Sequence, residues 1–295
     1  MINLSTKLGS IELENPVLLA SGVWDLPYTK VIDFKRLGGV ICKGVSLLPR
    51  EGNPPPRITE TPCGLINSIG LENRGLEYFE SEILPELKKL WTHVFVNIFG
   101  ESIEEFKEIT SKIKKVAGFE VNISCPNVSR GGESFGRDPK MVFSITEAVC
   151  GETDLPVIVK LTPSVDNIEE TAQAAKEGGA MAVTASNTFT GLVIDIERKE
   201  PLFEKITGGL SGPAIKPLAL YNVYRIKNAV DIPIIGSGGI SDYKDVVEYL
   251  IAGASAIQLG SIIFNNPLAP IEILNNLQCW LEDNSYNKLQ DVYKK

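Results

Sequence analysis

Histidine is almost missing from this chain: His93 is the single one in 295 residues. Ser/His/Asp hydrolysis and histidine-rich metal sites therefore find no support. His93 itself precedes a strand-like run, where an exposed or capping role is expected. Cysteine is scarce too. The five cysteines, Cys42, Cys63, Cys125, Cys150 and Cys279, are odd in number, scattered and without a C-x-x-C pair. That pattern argues against a zinc site, an iron–sulfur cluster or a disulfide framework within the chain. A basic surplus is lacking: 29 Lys and Arg face 37 Asp and Glu, a net charge of −8, which speaks against nucleic acid as a partner. The N-terminal MINLSTKLGSIELENP has no charged segment leading into an apolar one, and no apolar run approaches the ~18 residues of a membrane span. A reduced, soluble, cytoplasmic protein is expected. G-x-x-x-x-G-K-[ST] and a helix-opening G-x-G-x-x-G are absent, so P-loop and Rossmann nucleotide binding find no support. Any acid–base work falls to cysteine, lysine or a carboxylate.

What the chain does have is alternation. Short apolar runs rich in β-formers recur at 16–21, 39–45, 93–99, 119–124, 156–162, 180–186, 232–238 and 255–261. Segments with helical spacing lie between them, at 29–37, 74–90, 101–116, 138–151, 166–178, 216–229 and 241–252, with a last one near 269–283. In ESIEEFKEITSKIKKV, for example, Ile103, Phe106, Ile109, Ile113 and Val116 fall on one stripe. Near-continuous apolar strands suit a parallel sheet covered on both faces. Eight βα units in about 250 residues predict a (β/α)₈ TIM barrel, with a doubly wound sheet as the alternative. No low-complexity linker interrupts residues 1–295, which read as one domain. Two long stretches, 46–73 and 187–213, read as insertions at the C-terminal face, where such loops wall or cover a site.

Polar residues cluster where a barrel places its site. Ser21, Lys43, Asn97, Asn122 with Cys125, Lys160, Ser186-Asn187-Thr188, GSGG (236–239) and Gly260-Ser261 each follow one of the eight runs. Singly, each could serve only to satisfy backbone groups at a strand end; together they mark one face. GSGG and QLGS end the last two strands with glycines that expose backbone N–H groups, an arrangement suited to a phosphate-bearing substrate or a flavin mononucleotide. Lys43 and Lys160 stand in apolar strands with no evident carboxylate partner, as Schiff-base formers or as fixed cations. In NISCPNV (122–128), Pro126 pushes Cys125 toward extended geometry. From the residues alone, that thiol is open to reading as core filler, metal ligand, half a disulfide, nucleophile or proton-transfer group.

Four stretches in order carry a resemblance: LINSIGLENRG (65–75), VNISCPNV with its GG…FG.DP continuation (121–139), TGGLSGPAIKP (207–217) and IPIIGSGGISDYKDVVEYLIAGASAIQLGS (232–261). With EGNPPPR (51–57), they resemble the class 1 dihydroorotate dehydrogenases from about residue 4 to beyond residue 270. The GG…FG.DP continuation is more similar to the 1B branch than to the 1A branch, a fumarate-linked homodimer. The 1B branch passes electrons to NAD⁺ through a partner subunit carrying FAD and a [2Fe–2S] cluster. The resemblance implies an FMN-containing barrel that oxidises (S)-dihydroorotate to orotate in pyrimidine synthesis, with a homodimeric core.

By the same resemblance, Cys125 is the base that takes the C5 proton while the C6 hydride moves to flavin N5. The segment VSRGGESFGRD, rich in glycine with few apolar anchors, reads as a lid over it. Substrate contacts carry over onto Lys43, Asn67, Ser68, Ile69, Gly70, Leu71, Asn122, Asn127, Asn187 and Thr188. Amides suit a planar pyrimidine because each offers both a donor and an acceptor. FMN contacts carry over onto Ser21, Lys43, Gly44, Asn97, Asn122, Lys160, Ser186, Gly212, Gly238, Gly239, Gly260 and Ser261, with Lys160 beside the ring edge that becomes anionic on reduction. The chain departs from the family pattern at Gly44, Arg74 and Ser186. A dihydropyrimidine dehydrogenase-like barrel, a Schiff-base aldolase using Lys160 and a barrel that only binds phosphate are the competing readings.

Overall fold

The computed structural model of the chain describes residues 2–124, 126–127 and 133–293, with 126, 127 and 133 as backbone. Its centre is a closed barrel of parallel strands: β1 (Val17–Leu19), β2 (Gly39–Ile41), β3 (Val94–Ile98), β4 (Gly118–Asn122), β5 (Val157–Lys160), β6 (Ala182–Ala185), β7 (Ile234–Ser237) and β8 (Ala256–Leu259). Each strand pairs with its neighbours in chain order and β8 closes onto β1, the expected (β/α)₈ arrangement. All eight apolar runs became strands, each losing two to four residues where the chain turns away at the barrel rims, while β4 starts one residue earlier than expected, at Gly118.

Alternation along each strand sorts the side chains. Val96, Ile98, Val121, Val159, Val183 and Ile257 point outward and pack against the helices. Inside, Leu18, Ile41, Phe95, Ile158, Ala182, Ile235 and Ala256 form an apolar layer at the N-terminal end. A hairpin of Thr6–Leu8 and Ile11–Leu13 closes that end, adding Leu8 and Leu13 to the layer. The polar positions of the same strands lie above it, toward the C-terminal mouth.

Helices α1 (Ile103–Lys112), α2 (Pro139–Gly151), α3 (Ile168–Glu177), α4 (Lys216–Ala229), α5 (Tyr243–Ala252) and α6 (Ala269–Asp283) cover the barrel. Their ends follow capping chemistry. Ser102 accepts from the Glu105 amide at 3.3 Å to start α1, and Asp242 with Asp245 forms a capping box that starts α5. Gly253, at φ 112°, ends α5 in a conformation that favours glycine.

Two helix expectations need correction. Residues 29–37 are not one helix but two single turns, Leu26–Lys30 and Phe34–Arg36, each started by an aspartate cap, Asp25 and Asp33. Residues 74–90 hold short helical pieces around a π segment, Phe79–Ile83, in which the Leu84 amide reaches back to the Phe79 carbonyl. Pro85 follows at once and has no N–H to keep the α ladder in register.

The two insertions are not separate loops. Phe189–Leu192, Thr207–Ser211, Gly64–Asn67 and Ile58–Thr61 form one antiparallel sheet in that order. Residues from one insertion therefore pair with residues from the other above the barrel mouth.

Candidate active site

Lys160 ends β5 inside the mouth with its side chain 8% exposed, and its Nζ lies 3.4 Å from Ser21 Oγ at the end of β1. Contrary to the expectation of no carboxylate partner, Glu120 of β4 stands 3.6 Å from that ammonium. Glu120 is fully buried and accepts from Asn97 Nδ2 at 2.8 Å, Thr184 Oγ1 at 3.0 Å and Gln258 Nε2 at 2.6 Å. Strand register sets up this meeting: Asn97 lies opposite Glu120, and Lys160 lies between Asn122 and Thr184. Glu120 was the residue missed. Its alternation with Asn122 in FEVN already placed it on the inner face, but nothing local revealed which strands would converge on it.

Asn122 and Asn187 meet across the mouth. Asn187 Nδ2 donates to Ser124 Oγ at 3.0 Å and lies 3.4 Å from Asn122 Oδ1, which also accepts from the Ser124 amide at 3.1 Å. The Thr188 amide donates to Asn187 Oδ1 at 2.8 Å, fixing that side chain. Ser186 is buried, its hydroxyl donating to the Asn187 carbonyl at 3.2 Å. Asn67 ends an inserted strand and donates to the Gly209 carbonyl at 3.2 Å. The loop that follows, Ser68, Ile69, Gly70 and Leu71, is pinned by Asn53 Nδ2, which donates to both the carbonyl and hydroxyl of Ser68 at 3.0 Å. At Gly70, φ 75°, a Cβ would come within 2.5 Å of the Asn53 nitrogen, so the turn needs glycine.

Lys43 sits at the rim, not in the interior: its side chain is 46% exposed and ion-paired with Glu72 of the first insertion. Gly44 beside it packs under Asn97, whose Oδ1 would lie 2.9 Å from an added Cβ. The tight fit accounts for glycine at this departure from the family pattern. Neighbouring Cys42 is buried, and burial pushes its thiol up to about 12, so it stays a neutral thiol packed in the core. Cys125, the Asn127 side chain and residues 128–132 of the lid segment lie outside the described residues, whereas its second half is tied down, Ser134 Oγ donating to the Ile123 carbonyl at 2.9 Å.

The glycines after β7 adopt backbone that a side chain would not fit. Gly238 and Gly239 have φ of 138° and 68°, and a Cβ on Gly239 would come within 2.7 Å of the Lys216 amide and 2.9 Å of the Gly212 carbonyl. Gly212, at φ 103°, lies as close to Gly64. A Cβ on Gly260 would meet nothing within 4 Å, so the backbone beside Ser261 faces open space. The segment is anchored behind by Asp245, which accepts from Lys216 Nζ at 2.6 Å and from the Ser241 amide at 2.7 Å. Open glycine backbone at one side, and a buried cation with amides at the other, fit the phosphate and ring of a flavin mononucleotide.

Two cavities stand out. One of about 330 Å³ reaches the mouth beside Lys43, Gly44 and Glu72. A larger one, about 430 Å³, opens at the opposite end beside Trp91, His93 and Lys115. The inward polar side chains converge at the mouth, not at that opposite end. His93 is indeed remote from it, bonded to the Glu12 carbonyl at 3.2 Å.

The dihydroorotate dehydrogenase family model matches residues 3–281. The chain belongs to the dihydroorotate dehydrogenase family. It is 45% identical to the catalytic subunit of dihydroorotate dehydrogenase B (NAD(+)) of Thermoanaerobacter sp. (strain X514), covering 99% of this chain and 98% of the relative. Proteins of the same name from Caldicellulosiruptor bescii and Bacteroides fragilis are 46% and 43% identical over the same shares. Membership removes the aldolase and phosphate-binding readings. No helix among the described residues is long and apolar enough to cross a membrane.

Proposed function

We propose that this dihydroorotate dehydrogenase oxidises (S)-dihydroorotate to orotate as the catalytic subunit of a 1B enzyme, a single FMN-binding domain acting in the cytoplasm. The observation that carries the reading is the convergence of Lys160, Ser21, Asn97, Asn122 and Asn187 at the strand ends. FMN held there would supply the acceptor for the C6 hydride. Lys160 supplies a cation where the reduced ring gathers negative charge, and Ser21 steadies that ammonium. The Gly238-Gly239 and Gly260-Ser261 backbones hold the phosphate.

Asn67, Asn122, Asn127 and Asn187 match the N–H and C=O groups of the pyrimidine ring, with Thr188 and the Ser68–Leu71 loop closing the pocket. Lys43 pairs with the substrate carboxylate, trading Glu72 for it. Cys125 takes the C5 proton. Only its thiolate can do so, so the half-reaction is expected to quicken as pH rises.

Electrons leave to NAD⁺ through a partner subunit, a reading supported by the names of the relatives; by the family resemblance that subunit would carry FAD and a [2Fe–2S] cluster. A homodimeric core is supported by exposed apolar side chains in the second insertion, among them Ile196 at 78% exposure, and by Tyr221 and Tyr224 on α4.

The test begins with colour. The purified protein is expected to be yellow and to bleach when dihydroorotate is added without oxygen; a protein that does not bleach overturns the reading. Uracil is expected not to reoxidise it, which separates it from a dihydropyrimidine dehydrogenase-like barrel. Turnover with fumarate by the lone chain would instead assign it to the 1A branch.

A further inference from the structure

A carboxylate at zero exposure inside a barrel is expensive unless donors surround it. An aliphatic side chain at residue 120 would simply extend the apolar layer below. Glu120 instead collects four donors from four other strands: Asn97 of β3, Lys160 of β5, Thr184 of β6 and Gln258 of β8. Two of these, Asn97 and Lys160, stand at the mouth where a flavin would lie. The other two, Thr184 and Gln258, hold the carboxylate from the far-side strands β6 and β8.

We propose that Glu120 is a positioning residue that orients Lys160 and Asn97 toward the flavin and, through Lys160, sets the flavin's reduction potential. This rests on the FMN reading above.

Geometry supports the orienting role. An ionised carboxylate is acceptor-only, so it draws the NH₂ group of Asn97 inward and leaves Oδ1 on the Gly44 side of the mouth. The same demand acts on Gln258, whose NH₂ points to Glu120 while its Oε1 is buried without a hydrogen-bond partner among the described residues. The unpartnered oxygen is the counterpart of turning that NH₂ group to the carboxylate. Charge supports the second role. Reduction places negative charge on the flavin, so an ammonium beside it raises the potential and a carboxylate paired with that ammonium offsets the rise.

The test is the midpoint potential of bound FMN, measured by equilibration with a reference dye alongside flavin stoichiometry. Glu120→Gln keeps the shape and removes the charge. It is expected to retain flavin and to raise the reduced-to-oxidised ratio at a fixed poise at least tenfold, about 30 mV for a two-electron couple. Gln258→Leu removes the β8 donor and the orphan oxygen with it. Glu120 then leans more fully on Lys160, and the potential is expected to fall. A role in packing alone would move stability but neither potential. Unchanged potentials in flavin-loaded Glu120→Gln, or in Gln258→Leu should the first variant not fold, overturn the proposal. A wild-type chain that takes up no FMN overturns the flavin reading itself, an outcome visible before any variant is made.

Discussion

The two ends of the barrel use the same eight strands for opposite purposes. At the N-terminal end, Leu18, Ile41, Phe95, Ile158 and Ile235 meet Leu8 and Leu13 of the hairpin in a dry layer. Two residues beyond Phe95, Ile158, Ala182 and Ala256 of that layer, the same strands present Asn97, Lys160, Thr184 and Gln258, and β4 adds Glu120 and Asn122. Period-two alternation makes this possible, since Phe95 and Asn97, or Ile158 and Lys160, share one face. The contrast teaches where stability and chemistry reside: the lower layer holds the barrel closed, and the upper one spends part of that stability on buried polar groups.

Substitutions at each end should separate the two roles. At the mouth, Cys125→Ser is expected to slow anaerobic flavin reduction by dihydroorotate about 10²–10⁴-fold while flavin stays bound. Stopped-flow bleaching at 450 nm checks it, 450 nm being roughly the flavin absorption band whose loss reports hydride transfer. A rate within a few-fold of wild type would remove Cys125 from the mechanism. In the plug, Phe95→Ala is expected to cost about 3–5 kcal/mol, read as a lowered denaturant midpoint. The fraction still folded should reduce its flavin at a near-normal rate; a loss of rate matching that of the mouth variant would erase the distinction between the ends.

A smaller effect is expected at the cradle anchor. Burial alone would raise the Asp245 carboxyl, but the Lys216 ammonium and the Ser241 amide and hydroxyl outweigh it and hold the group below the usual aspartate range. A carboxyl depressed on folding adds stability above its unfolded value, about 3.9, and that contribution is lost as pH falls through the folded value. Asp245→Asn is therefore expected to be less stable at neutral pH and to show a flatter acid limb in denaturant midpoints measured against pH. The smallest effect belongs to the cap: Asp242→Ala, at the start of α5, is expected to cost about 1 kcal/mol by the same measurement.

The barrel was legible because a parallel sheet covered on both faces writes itself as apolar runs, as in HVFVNIF and PVIVKLT. The helices were legible where caps and stripes agreed, as in α1 and α5. Residues 29–37 misled because apolar spacing there is carried by two capped turns, and the π segment at 79–83 depends on Pro85 interrupting a pattern that otherwise looks uniform. At the site, strand-end residues such as Lys160 and Asn122 could be read from their place in each run. Glu120 and Glu72 could not be assigned as lysine partners, because both pairings join residues far apart in sequence. The sheet between the insertions was hidden for the same reason, since Gly64–Asn67 finds Thr207–Ser211 across some 140 residues.

That sheet makes the two insertions a single mechanical part. The strand that leads into the Ser68–Leu71 loop is paired with the strand that leads into Gly212 beside the glycine cradle. Anyone grafting a new substrate loop onto this scaffold would be bending the cofactor's support with it, so the pair is the natural unit of exchange between relatives.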